Sequence, residues 1–225
     1  MILSAPSYVI PGTYLENVQA IDAFPEIKGI EFLFFSFDRD SWSLFRKEKD
    51  TLRSFSGRFS FSLHMPELLK EEHEELIEGT LDLVSSYVVH PDLLDPEFFL
   101  LTLSKWIERY GNIFYLENIL DGNIERFLKL LPEAPLCMDT GHLLLEGRQP
   151  ARFYTDWKQR IKKIHFHSIS RGRDHRASAG DEPWIRKLVP LLKTFNGILH
   201  IEIFRKDEYF KMIENLRIYP ELFNG

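Results

Sequence analysis

Residues 113–147, IFYLENILDGNIERFLKLLPEAPLCMDTGHLLLEG, hold a strand, a helix and a second strand in one short stretch. Ile113–Glu117 is β-rich and ends in Glu117-Asn118, with turn chemistry on both sides. Asp121–Leu131 follows with apolar residues at three- and four-residue spacing, the mark of an amphipathic helix. Leu136–Asp139 returns to strand character and runs on into Thr140-Gly141-His142. Two such strands joined across a helix form a βα crossover, which calls for parallel pairing.

The same alternation extends in both directions. The other predicted strands are Ile2–Val9, Ile27–Phe37, Phe59–Met65, Ser86–His90, Lys163–Ile169 and Ile198–Phe204. Between them lie predicted helices over Glu67–Val84, Pro96–Tyr110, Asp181–Thr194 and Lys206–Leu216, with weaker patterns at Thr13–Ala23, Ser41–Phe55 and Pro150–Arg160. On the Glu67–Val84 helix, Leu69, Leu76, Ile77, Leu81 and Val84 are expected to share one face. Eight strand–helix units with no Gly-rich phosphate loop after the first strand favour a closed α/β barrel, the (β/α)8 TIM barrel, over a doubly wound sheet. The expected organisation is one domain spanning residues 1–225, with no internal linker.

Composition narrows the function classes. A single cysteine, Cys137, excludes a disulfide framework and a cysteine-rich zinc cluster, and a reducing cytoplasmic setting is the expectation. A net charge of −6 argues against a surface that tracks nucleic-acid phosphates. Apolar runs such as Ile30–Phe37 fall far short of the roughly 20 residues of a membrane span.

In a TIM barrel the active site forms at the C-terminal strand ends. There the third strand carries His64, the fourth His90, the fifth Glu117 and the sixth Asp139 and His142. The seventh carries His165 and His167 on one face, and the eighth His200 and Glu202. A lone histidine in an apolar strand is usually an ordinary core residue. Six successive strands offering His, Asp or Glu at one end are not explained that way, because uncompensated buried charge is costly. Divalent cations resolve the crowding, and mixed nitrogen and oxygen donors without thiolate suit Zn, Mn or Fe. The next loop, 170–176 (SRGRDHR), gathers Arg171, Arg173 and Arg176 around Asp174 and His175. Its arginine forks suit an anionic substrate, and Asp174 and His175 suit a further metal.

On the strings SLHMP (62–66), VVHP (88–91), LENILDG (116–122), LCMDTGHLLLEG (136–147), GRDHRASAG (172–180) and HIEIF (200–204), the sequence resembles the xylose-isomerase-like TIM-barrel superfamily. That superfamily includes sugar isomerases and epimerases and the endonuclease IV type of apurinic endonuclease. The resemblance implies one metal on Glu117, Asp139, His165 or His167, and Glu202. The endonuclease IV branch implies further ligands at His64, His90, His142, Asp174 and His175, although Asp174 and His175 are adjacent here where the endonucleases space that pair by one residue. The strings 4–18 (SAPSYVIPGTYLENV), 30–35 (IEFLFF) and 173–179 (RDHRASA) resemble the cobamide-remodelling phosphodiesterases of the same superfamily.

The expected protein is thus a phosphodiesterase holding two or three divalent cations and acting on a small-molecule substrate, a cobamide. Its phosphoester would be cut to release a nucleoside and leave cobinamide phosphate. Glu117, Asp174 and His175 take the catalytic roles, with Glu117 the central bridging carboxylate. Tyr8, Arg171, Arg173 and His200 are the expected substrate contacts, with Phe34, Phe35 and Met65 as further cavity walls and Cys137 as packing. The alternatives are a single-metal sugar isomerase or epimerase built on Glu117 and Glu202, and an abasic-site endonuclease.

Overall fold

Alternation along the strands divides their side chains between two environments, and a closed barrel is what gives both of them cover. A computed structural model describes residues 1–121 and 123–223. Gly122, which ends the LENILDG string and lies in the expected 121–131 helix, is outside the described residues, as are 224 and 225 at the end of the expected domain. Among the described residues, eight parallel strands close in the order β1-β10-β7-β6-β5-β4-β3-β2. They are β1 (Ile2–Pro6), β2 (Gly29–Leu33), β3 (Ser60–His64), β4 (Val84–Val89), β5 (Phe114–Glu117), β6 (Leu136–Asp139), β7 (Ile161–His165) and β10 (Ile198–His200). This is the (β/α)8 barrel. No helix among the described residues is long and apolar enough to cross a membrane.

Outward-facing Ile30, Phe32, Phe61, Leu63, Tyr87, Phe114, Leu116 and Met138 are buried. The helices α1 (Tyr14–Asp22), α2 (Arg39–Ser54) and α4 (Pro96–Tyr110) supply much of their cover. Phe32 packs edge-on against Phe45 of α2 at 5.0 Å, and Phe99 of α4 meets Phe127 at 5.5 Å. Inward-facing positions are different in kind. Ser4, Glu31, Ser62, Lys163, His165 and His200 are all buried, so the barrel interior is filled with polar groups where branched aliphatics are usual.

Several predicted boundaries shift, each for a local reason. The Glu67–Val84 helix shortens to a 3₁₀ turn (Glu71–His73) and α3 (Glu74–Thr80), and Leu81 is exposed rather than on the buried face. Val84 begins β4 instead. The sixth strand keeps its predicted span, Leu136–Asp139, and His142 lies beyond it. Asp139 ends it and caps α6 (Thr140–Leu145), its Oδ1 accepting from the His142 backbone N–H at 2.6 Å. The 150–160 helix is α7 (Pro150–Trp157). The 181–194 segment is α8 (Pro183–Leu188) followed by a 3₁₀ helix (Val189–Thr194), because Pro190 lacks the N–H that α geometry needs. The last helix, α9, is Lys206–Leu216 as its spacing predicts.

The seventh strand also stops early. After His165 the chain leaves the barrel and forms an antiparallel hairpin of β8 (Ser168–Ser170) and β9 (Arg173–Arg176). Arg171 and Gly172 both take left-handed backbone, with φ of 52° and 71°. Such a pair suits a two-residue turn whose twist matches its strands.

Candidate metal centre

Glu117, at the end of β5, sits where three imidazoles converge. Its Oε2 lies 3.3 Å from His64 Nε2, 3.4 Å from His90 Nε2 and 3.3 Å from His165 Nδ1. His165 Nδ1 is also 3.3 Å from Glu202 Oε2 and 4.0 Å from Asp139 Oδ2. Glu117, Asp139, His165 and Glu202 therefore form a buried four-donor group, and His64 joins Glu117 and His165 in a second. A third group, His167, His175 and Glu202, adjoins it beneath the hairpin. There Asp174 Oδ2 lies 3.7 Å from His142 Nε2 and 3.8 Å from His175 Nε2.

These separations are long for hydrogen bonds. They are close to the roughly 3.3 Å between two donors that share a tetrahedral cation at about 2.0 Å from each. His90 Nε2, Glu117 Oε2, His165 Nδ1 and Glu202 Oε2 are buried without a hydrogen-bond partner. Orphaned donors aimed at one space, all nitrogen or carboxylate oxygen, fit a divalent cation.

Neighbouring groups fix the ring orientations. His64 Nδ1 lies 2.8 Å from the Met65 carbonyl and His142 Nδ1 2.9 Å from that of Asn118. Each contact makes Nδ1 the N–H donor and leaves Nε2 a lone pair for a cation. Asn118 also clasps Asp139 at both backbone groups, accepting from its N–H at 2.8 Å and donating to its carbonyl at 3.0 Å. His167 lies flat over Gly141, where an added Cβ would come within 2.0 Å of its Cε1. The glycine of DTGH is thus a requirement of this ring. His175 takes left-handed backbone at φ 50°. In a regular strand, adjacent side chains point to opposite faces. The kink lets Asp174 and His175 both reach the site despite being adjacent.

Electrostatics follow from burial and crowding. Burial alone would raise the Glu117 and Glu202 carboxyls, but His165 and its histidine neighbours hold both well below the usual carboxylate range. Conversely, burial would lower His64 and His167, yet Glu117 raises the first and Asp139 carries the second to about 10. The Cys137 thiol is pushed up to about 12 by burial, which suits packing and not reactivity.

Below this centre lies a layer that the sequence reasoning missed. Glu31 of β2 pairs with Lys163 of β7, whose ammonium also donates to Ser62 Oγ at 2.7 Å. Glu31 Oε1 faces His165 Nε2 at 3.0 Å and His200 Nε2 at 3.5 Å. Two signals were available: a lone Glu inside the apolar 30–35 run, and Lys163 in phase with His165 and His167. His200, expected to touch substrate, belongs to this layer instead. It is wholly buried, with Nδ1 3.1 Å from Ser4 Oγ, and burial pushes it down to about 3.

The remaining substrate contacts divide. Arg171 and Arg173 are exposed and line an outer groove with Glu208 and Lys211 of α9. Among the described residues, no hydrogen bond or ion pair joins them to the candidate metal donors. The two-residue turn carries Arg171 beyond the site, and Arg173 pairs with Ser170 at the tip. Tyr8 and Phe35 line a cavity at the barrel mouth. Phe34 and Met65, offered as walls, are core: Phe34 faces outward against Trp42 and Phe45.

No protein-family profile and no curated protein matches the sequence. Solved structures do match its fold. A 3-keto-D-glucoside 4-epimerase from E. coli superposes with a TM-score of 0.71 at 14% identity, over 97% of this chain and 98% of that one. A xylose isomerase domain protein from Alicyclobacillus acidocaldarius gives 0.68 at 13%, over 100% and 99%. A family 2 AP endonuclease from Brucella melitensis gives 0.64 at 13%, over 97% and 98%. The chain shares the closed (β/α)8 barrel with proteins of several activities, and that likeness concerns the fold alone.

Proposed function

We propose that this chain is a metal-dependent phosphodiesterase. The observation that carries the reading is the size of the donor set: Glu117 Oε2 is shared by His64, His90 and His165, and a further set lies under the hairpin. One cation needs about four protein donors at most, and this mouth offers enough for two or three. In the proposed reaction water adds to phosphorus, one P–O ester bond breaks, and the products are a phosphomonoester and an alcohol. Bound cations would acidify the water and draw charge from the phosphoryl oxygens. His64, His90, Glu117, Asp139, His142, His165, His167, Asp174, His175 and Glu202 would hold them. Glu117, centrally placed, would supply the donor around which the other ligands gather. Asp174 and His175, the half-exposed members, stand at the open side where substrate and water enter.

The narrower proposal is the nucleotide-loop phosphoester of a cobamide. It rests on the resemblance of residues 4–18, 30–35 and 173–179, and two of those strings furnish walls of one cavity beside the donors. Glu117, Asp139, His165 and Glu202 also make a complete single-metal set, which favours a sugar isomerase or epimerase as the second reading. Elemental analysis with turnover separates the two. Two or three metals per chain and hydrolysis of adenosylcobalamin or a simple phosphodiester support the first. One metal and conversion of a ketose, with no ester cleaved, would defeat it.

A further inference from the structure

We infer that the cavity beside the metal centre binds a flat, uncharged aromatic ring of the substrate, a heterocycle of nucleobase size. This rests on the phosphodiesterase reading for the group that the ring is attached to. The cavity holds about 410 Å³, at the small end of ligand sites. It opens at the barrel mouth between the loops after β1 and β2 and the segment after β10, and Tyr8, Tyr14, Leu33, Phe35, Leu44 and Phe204 supply its apolar walls.

Three features point to a ring. First, Tyr8 and Phe35 are 52% and 41% exposed, whereas Phe32, Phe34 and Phe45 behind them are buried and Tyr14 and Phe204 are partly buried. Exposed aromatic faces at a cavity lip are stacking surfaces in want of a partner. Second, Phe35 stands edge-on to His64 at 5.3 Å and to Phe204 at 5.6 Å, and Phe204 lies 4.7 Å from His175. Two ligand histidines and the cavity thus share a wall, so a group held here is within one sugar's reach of the metals. Third, among the described residues no charged side chain lines the cavity, while serine, threonine and tyrosine hydroxyls do. Burial and the nearby Asp38 raise the Tyr14 phenol, so it remains a neutral hydroxyl. Such a lining suits a neutral ring with a hydrogen-bonding edge, and it does not suit a carboxylate.

The cavity is also built in advance. Asn17, fully buried, accepts from the Val9 and Ile10 N–H groups at 2.8 and 3.0 Å and donates to the Ile10 and Thr13 carbonyls. It ties the loop that carries Tyr8 to α1. Ser7 Oγ accepts from the Leu33 N–H at 3.1 Å, fixing that loop to β2. A preformed slot spares the ordering cost of binding.

The test compares two methyl phosphodiesters with one leaving group: 2′-deoxyadenosine 3′-(methyl phosphate) and its tetrahydrofuran counterpart, which lacks the base. Methanol release by the zinc-loaded protein should show kcat/KM at least tenfold higher for the base-bearing ester, the scale of one base on an aromatic platform. Tyr8→Ala and Ser36→Trp, both at exposed positions, should bring that ratio toward one. Circular dichroism and metal content verify that the variants fold. Calorimetry with deoxyadenosine alone reads the cavity without turnover, and each variant should weaken binding at least fivefold. Equal kcat/KM for the two esters, or preference for the base-free one, overturns the inference and leaves the phosphodiesterase reading standing. Deoxyadenosine binding that both variants weaken, with neither ester cleaved, upholds the cavity and defeats the reaction. Absence of deoxyadenosine binding overturns the cavity outright.

Discussion

Replacing Lys163 with Met strips the cation from a pair that water does not reach. Lys163 and Glu31 are both 0% exposed, and the ammonium bonds Glu31 and Ser62 Oγ together. Burial alone would raise the Glu31 carboxyl, but Lys163, His200 and His165 hold it well below its ordinary range. Without Lys163, Glu31 keeps only the Ser62 hydroxyl at 3.2 Å and the His165 and His200 rings. Removing one partner of a buried pair costs roughly 3–5 kcal/mol, because the other charge stays behind. For a chain of this size each kcal/mol lowers the midpoint by about 2–4 °C, so the melt should fall by roughly 6–20 °C. Glu31→Gln/Lys163→Met should recover most of that loss, since a neutral amide replaces the stranded charge. Urea unfolding of wild type, Lys163→Met and the double variant reads the cycle directly. A Lys163→Met protein within about 1 kcal/mol of wild type, or a double variant less stable than the single one, would refute the account of the interior.

Further outcomes follow from the same geometry. Glu31→Gln should weaken metal binding by about 10–100-fold, as loss of an outer partner of a ligand histidine commonly does; competition with a chromogenic chelator measures it. Gly141→Ala should destabilise by about 1–3 kcal/mol and lower metal content, because the new methyl would overlap the His167 ring; calorimetric melts and elemental analysis read both effects. His142→Ala should remove one cation and leave the Glu117-centred group loaded, which metal counting would reveal. Chelated protein should lose stability as pH rises from about 7 to about 10. His64, His142, His165 and His167 have raised pKa values, so their contribution is complete below about 6.5 and disappears as each deprotonates, His167 near 10. Melts with and without EDTA check the sign, and the metal-loaded protein should show little of this slope.

Much of the barrel was legible because its cues are local. Helices such as Pro96–Tyr110 and Lys206–Leu216 carry their spacing and stop signals in their own residues. The donors His64, His90, Glu117 and Asp139 were legible for a second reason: each falls at a strand end, and barrel closure brings strand ends together whatever lies between them. The Glu67–Val84 segment misled because apolar spacing continues through Val84, which belongs to the next strand. The placing of Arg171 and Arg173 in an outer groove was not legible, because hairpin geometry decides where a side chain points. Nothing in 170–176 reveals that Arg171 and Gly172 both turn left-handed.

The Glu31–Lys163 layer was harder to read for a reason that bears on function. A charged pair on strands β2 and β7, 132 residues apart, shows in each strand only as an isolated charge, and neither strand alone names its partner. Yet the donor groups above it require something of this kind. Glu117, Asp139 and Glu202 converge in a space where no Arg or Lys among the described residues pairs with them, so protons on the histidines or bound cations must neutralise them. An aliphatic interior directly beneath would leave the His165 Nε2 face without an acceptor, free to turn. Glu31 Oε1 faces that nitrogen at 3.0 Å as a charge partner, without a formed hydrogen bond, and Lys163 keeps Glu31 ionised without adding another acid to the cation site. The polar interior is therefore coupled to the metal centre through one imidazole, and Glu31→Gln should be felt both in metal affinity and in the fold, where it strands the Lys163 ammonium.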